Sequence, residues 1–268
     1  MRRLLCLLLL LAGLPVAAAE RVVSLAPSLT DMVLELGAAD RLVGVLDGGP
    51  RPPALNGMAS VGRYGQVNLE QVLNLHPDLL LVWPGAVPEA QLARLKSFGI
   101  PLYIVDPHRL EDVARQLREL GERLGRQEQG QALARQFEVR LQALRSQYRR
   151  ERPLKVFYQV WNRPLYTLGG NQIISDALAV CGGRNLFADL SLPAPQVSQE
   201  AVLARDPEVI LGGSHAELQA WTQMPQLTAT RLGQLWSIPD KNLERPSYAM
   251  LDATEKLCRL LAGAKVAD

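Results

Sequence analysis

Two glutamates stand in matching surroundings 130 residues apart. The segments QVNLEQVLNLHP (66–77) and QVSQEAVLARDP (196–207) share Gln, Val, Glu, Val, Leu and Pro at the same places. Glu70 follows Asn68 by two residues and Glu200 follows Ser198 by two, so each acid belongs to the first turn of a capped helix. A carboxylate there favours the helix dipole by roughly 0.3–1 kcal/mol. The other reactive residue types are dispersed. His76, His108 and His215 form no His-x-His and no i, i+4 pair, whereas a zinc centre gathers three or four ligands. No metal site is expected. There is no Gly-x-Ser-x-Gly elbow, no Walker loop and no Gly-x-Gly-x-x-Gly after a strand, and no spacing nominates a catalytic pair. The residues point to capture of a molecule and not to its transformation, so an exported enzyme is the weaker alternative.

The ends and composition point to export. Arg2 and Arg3 precede an apolar run from Leu4 to Leu14, and Val16-Ala17-Ala18-Ala19 offers small residues before Glu20. This is the pattern of a cleavable secretory signal over residues 1–19. The run is too short for a membrane-spanning helix of about 20 residues. Cleavage removes two of the 29 basic residues and leaves 27 against 27 acidic ones. That balance argues against nucleic acid as a partner. Cys6 leaves with the signal, so Cys181 and Cys258 remain. In an oxidising compartment they can pair or stay as two buried thiols. A bridge would close a loop of about 78 residues and stabilise by about 4 kcal/mol.

The elements that must position these residues alternate. RVVSLAPSLTDMVLELG opens with a short β-branched run, turns at Pro27-Ser28 and continues with helical spacing to Gly37. Further strands are expected at 43–45, 79–83 and 101–105, with helices at about 69–75 and 89–98. A second set starts at Leu154 and runs through helices at about 173–181 and 200–205 to a strand at 209–211. Alternation of this kind predicts α/β architecture with parallel sheets. The duplicated block predicts two similar lobes, over 20–110 and 151–268. Between them, residues 111–150 are polar and helical. Leu133, Phe137, Leu141, Leu144 and Tyr148 recur on one helical face. A helix from about Glu128 to Arg149 is roughly 33 Å long. It is expected to be the single long connection between two Rossmann-like lobes, a stiff spacer permitting little hinge closure.

VVSLAPSLTD, NLEQVLNLHPDLLLVW, PQVSQEAVLARDPEVIL and the closing Leu257-Cys258 together resemble the cobalamin-binding family of periplasmic proteins that serve bacterial ABC importers. The resemblance covers essentially the whole chain after residue 19. It implies a ligand, cobalamin or a related corrinoid, held in the cleft between lobes and delivered to a permease dimer in the inner membrane. The protein itself is implied to be a periplasmic monomer with no cofactor and no catalysis. The same resemblance implies that Cys181 and Cys258 are bridged, and that Glu70 and Glu200 pair with arginines of the permease. A corrin calls for aromatic surface against its ring and a few polar groups that fix its orientation. Tyr64 in the turn GRYGQ, Trp83 after the strand at 79–82, and Trp161 after the strand at 156–158 match ligand-lining positions. Asp240 and Arg245 in PDKNLERPS match a stretch that reaches the ligand, where Arg245 would serve ligand amides or the phosphate. Three places depart from the pattern. Ala194 and Gly48 stand where the family has aromatics, and the loop at 240–245 is one residue longer. A haem- or siderophore-binding relative is therefore the alternative reading, with Tyr64 or Tyr248 as a possible axial ligand for haem iron.

Overall fold

The computed structural model describes residues 18–266. The expected signal segment lies outside the described residues up to position 17. Among the described residues, no helix is long and apolar enough to cross a membrane.

The N-terminal lobe runs β1 (Val22–Ser24), α1 (Pro27–Glu35), β2 (Leu42–Asp47), β3 (Ala59–Arg63), β4 (Gln66–Val67), α2 (Leu69–Asn74), β5 (Leu79–Val82), α3 (Glu89–Ser97) and β6 (Leu102–Ile104). Its sheet has the order β4-β3-β2-β1-β5-β6, parallel except for β4. Helices α4 (Leu110–Arg123) and α5 (Gln127–Gln147) follow. The C-terminal lobe runs β7 (Leu154–Gln159), β8 (Trp161–Asn162), β9 (Leu165–Tyr166), α6 (Ile173–Val180), β10 (Gly183–Asn185), α7 (Gln199–Arg205), β11 (Val209–Gly212), α8 (His215–Thr222), α9 (Thr228–Leu232), β12 (Leu235–Ser237) and α10 (Ala249–Ala262). Its parallel sheet has the order β10-β7-β11-β12, and β8–β9 form a separate hairpin. The apolar runs at 79–82 and 209–212 are buried at every position. That is what a central strand covered by helices on both faces requires.

The duplicated block folds the same way twice. Asn68 accepts a hydrogen bond from the Gln71 amide at 3.0 Å, and Ser198 accepts one from the Ala201 amide at 3.2 Å. Past the ends of the two helices, His76 and Asp206 both adopt φ of 45°. A left-handed residue commonly ends a helix, and the prolines that follow, Pro77 and Pro207, disfavour the right-handed helical region for it. The next acid then ties the block to the first strand of its own lobe. Asp78 accepts from the amides of Glu20 and Arg21 at 2.8 and 3.0 Å. Glu208 accepts from the Lys155 amide at 3.0 Å.

Helix α5, 21 residues long, carries the chain from one lobe to the other. Near its start, Arg126 binds Asp40 and the Gly37 carbonyl. Near its end, Arg145 pairs with Glu111 and Asp176. Helix α4 packs along α5, and the two backbones come close enough that a Cβ on Gly121 would lie 3.0 Å from the Gly130 Cα. The buried face of α5 is Gly130, Ala134, Phe137, Leu141 and Leu144. Ala134, Phe137, Leu141 and Leu144 belong to one apolar cluster that contains Val22 and Leu81 of the first lobe and Val156 and Leu257 of the second. The spacer is thus the middle of a shared core. Parting the lobes would expose apolar area at a cost of roughly 25 cal/mol per Å².

Cys181, at the end of α6, is bridged to Cys258 of α10 with a Cα–Cα distance of 4.4 Å. Both residues are buried, and the bridge pins two helices that cover the same lobe.

Candidate functional site

In open α/β sheets, ligand-contacting groups collect at the carboxyl ends of the strands. Here the carboxyl edges of the two sheets face each other. Pro27 follows β1 and Gly48 follows β2, and the carbonyls of both accept from the Arg245 guanidinium, which lies beyond β12, at 3.3 and 3.4 Å. His108, beyond β6, meets the Asn171 carbonyl through Nδ1 at 3.1 Å.

Tyr64, Trp83 and Trp161 all stand on this edge. Tyr64 is at the β3–β4 turn and is 61 % exposed. Its ring centroid lies 6.1 Å from that of Trp83, tilted by 40°. Trp83 follows β5, and its indole N–H donates to Asp106 Oδ1 at 3.2 Å. The indole folds over Gly85, where a Cβ would come within 2.6 Å of the ring. Only glycine permits that approach. Trp161 opens the β8–β9 hairpin, is 58 % exposed, and donates its N–H to the Arg163 carbonyl at 3.0 Å. Trp83 and Trp161, with their indole N–H groups already satisfied by the protein, and the exposed Tyr64 present apolar ring faces to whatever enters.

The two polar candidates are placed differently. Asp240 caps the 3₁₀ turn Lys241–Glu244 by accepting from the Asn242 amide at 2.9 Å, and it pairs with Lys256 at 2.6 Å. The ammonium and that amide hold its carboxyl below the usual range. Arg245 reaches across to the other lobe. Its Nε and Nη2 lie 2.7 and 2.6 Å from Asp31 Oδ2. Sequence reasoning nominated Arg245 but missed its partner, Asp31 of α1. It also missed Glu35, one turn further along the same helix. Glu35 accepts from the Ser247 hydroxyl and from the amides of Tyr248 and Ala249 at 2.8–2.9 Å. Burial pushes both carboxyls up, while Arg245 pulls Asp31 down and the three donors pull Glu35 down. The available signal was the i, i+4 spacing of two acids on an otherwise uncharged helix.

Gly48 lies against Pro27, so that a Cβ there would meet the proline ring at 2.1 Å. An aromatic side chain at position 48 has no room in this backbone.

Glu70 and Glu200 are both exposed, in the first turns of α2 and α7. Glu200 is held below the usual carboxylate range by its own amide and the Ser198 hydroxyl. Tyr248 packs its ring edge against Phe137 at 6.0 Å and donates to Gln136, so it serves the interlobe core. Among the described residues, no group of three or more His, Cys, Asp or Glu could hold a metal ion.

This architecture, two facing α/β lobes sharing a core through α5, defines a class of protein. The periplasmic binding protein family matches residues 22–239, and the chain belongs to that family. A curated relative, the vitamin B12-binding protein of Vibrio cholerae serotype O1, is 36 % identical over 248 residues, which is 91 % of this chain and 89 % of that protein. The vitamin B12-binding protein of Yersinia pestis is 35 % identical over 261 residues, 96 % of this chain and 91 % of its own length. Among solved structures, the periplasmic vitamin B12-binding protein BtuF of Vibrio cholerae superposes with a TM-score of 0.83 at 36 % identity, covering 91 % of this chain and 97 % of that one. The periplasmic heme-binding protein RhuT from Roseiflexus superposes with a TM-score of 0.77 at 25 % identity, covering 91 % and 98 %.

Proposed function

We propose that this protein is the periplasmic substrate-binding component of an ABC importer, capturing cobalamin or a related corrinoid between its lobes and delivering it to a membrane permease. The observation that carries this reading is the placement of Tyr64 and Trp83 on one carboxyl edge and Trp161 on the other, the two edges being joined by Arg245. A broad, partly apolar ring fits between aromatic faces, and polar groups at the rim fix its orientation. The vitamin B12-binding relatives support the ligand class. In this reading Tyr64, Trp83 and Trp161 contact the ring, while Asp240 and Arg245 border it. Glu70 and Glu200 serve a different partner. They sit at equivalent, exposed places on the two lobes, which suits docking onto a dimeric permease. The chain itself carries no catalytic step, as befits a carrier.

Gel filtration of the purified protein with cyanocobalamin and, separately, with haemin tests the ligand. Co-elution of stoichiometric cyanocobalamin is expected. A shifted haem Soret band without retention of cyanocobalamin would transfer the cleft to haem. The exposed phenol of Tyr64 is the feature that would serve haem iron.

A further inference from the structure

Helix α1 belongs to the N-terminal lobe, yet two of its side chains are spent on the C-terminal lobe. Asp31 and Glu35 lie on one face, one turn apart. Asp31 takes two guanidinium N–H groups of Arg245 on one oxygen. Glu35 takes the Ser247 hydroxyl and two consecutive amides, those of Tyr248 and Ala249. Those amides open α10, whose own N-cap residue, Tyr248, supplies no side-chain cap. The first amides of a helix need acceptors, and here the acceptor comes from the other lobe. The reverse contact also exists. Asp176 of α6 accepts from the Leu110 amide at 2.9 Å, at the first residue of α4. Each lobe thus provides a carboxylate that caps a helix outside it.

We propose that Asp31 is the positioning residue for Arg245, and that Asp31 and Glu35 together form an interlobe clasp that fixes residues 245–249 at the rim of the cleft. The inference rests on the reading of the cleft as a ligand site. A long flexible arginine held on one carboxylate and two carbonyls loses its rotamer freedom before any ligand arrives. Groups ordered in advance cost less at binding. The remaining charged groups near this contact are committed elsewhere. Arg140 of α5 is spent on Asp252 and Glu255, and Lys256 on Asp240. Arg245 is the cation Asp31 holds, and Asp31→Asn keeps the side chain's shape while removing its charge.

The test measures cyanocobalamin affinity by calorimetry and amide exchange over residues 245–249, in the wild type and in D31N, R245A, the D31N/R245A double variant and E35Q. D31N and R245A should each weaken affinity about tenfold, and the double variant should be no weaker than R245A by more than twofold. A residue acting through another leaves nothing further to lose once that other is gone. D31N should speed exchange at Arg245 and E35Q at Tyr248 and Ala249, at least tenfold in each case, with thermal midpoints recording that the variants are folded. Multiplicative losses in the double variant, or full affinity in D31N, would overturn the positioning role. Unchanged exchange over 245–249 in both D31N and E35Q would overturn the clasp. If the wild type retains no cyanocobalamin, the functional reading fails, and the exchange data alone decide the clasp.

Discussion

Helices α2 and α7 begin and end alike, with a side-chain cap, an acid in the first turn, a left-handed terminal residue, a proline and an acid tied to the lobe's first strand. The aromatics do not follow this correspondence. Trp83 comes after β5, and the matching position after β11 is Gly213. Trp161 comes after β7, the counterpart of β1, where the first lobe continues instead into α1 at Pro27. Equivalence was kept on the surface that carries Glu70 and Glu200 and was lost in the cleft. A two-fold partner reads equivalent surfaces, whereas a ligand with two unlike faces needs unlike walls. The division agrees with the proposed docking and capture roles, and it can be broken experimentally.

The sharpest break is in transport. Glu70→Ala with Glu200→Ala should abolish uptake by cells while calorimetry shows ligand affinity within twofold of the wild type. Each single variant should be impaired to a similar degree, as equivalence demands; an equal loss of binding would instead place the acids in the cleft. Next in size is the disulfide, which only the C-terminal lobe has. Cys181→Ser with Cys258→Ser should cost about 4 kcal/mol in chemical denaturation, with exchange in α6 and α10 accelerating before that in α1. Trp83→Ala and Trp161→Ala should each weaken cyanocobalamin binding by about 2 kcal/mol, or roughly 30-fold, as desolvated aromatic anchors do. Uptake at saturating ligand should survive, the converse of the docking variants.

A smaller effect sharpens the comparison within the duplicated block. His76 and Asp206 share φ of 45°, and relief of that conformation by glycine is worth about 1 kcal/mol. His76→Gly should therefore raise the thermal midpoint. Asp206→Gly should not, because Asp206 also accepts from the Thr228 amide and hydroxyl at 2.8 and 2.7 Å. The smallest effect is in pH. Lys256 holds Asp240 below the usual carboxylate range, so the stability of that pair is complete above the unfolded value of about 3.9. It is lost as pH falls through the lower folded value. Lys256→Met should flatten that part of the melting profile.

Much of this was legible in the chain. The alternation of short apolar runs with 3.6-period segments placed β5, β7 and β11 and their helices to within a residue or two, because burial on both faces leaves a continuous apolar run. The duplicated block carried its caps and its prolines openly, and the loop positions of Trp83 and Trp161 followed from where their strands end. The shorter pieces β4, β8, β9, β10 and β12 left no such mark. Two or three residues on a sheet edge or hairpin carry too little pattern to be seen. The segment at 111–150 showed its long helix, α5, through the spacing of Phe137, Leu141 and Leu144. That α4 lies along it at Gly121 and Gly130 did not show, because close backbone approach is a property of two helices together.

The sequence by itself determined the local choices: where helices start, where strands are buried, and that one motif occurs twice. Those choices depend on neighbours a few residues apart. Tertiary structure decided what faces what. Arg245 and Asp31 are separated by 214 residues, and no periodicity links them. Their pairing exists because two carboxyl edges are held opposite each other by a core that runs through both lobes. A half-buried charge must find its partner in space and not along the chain.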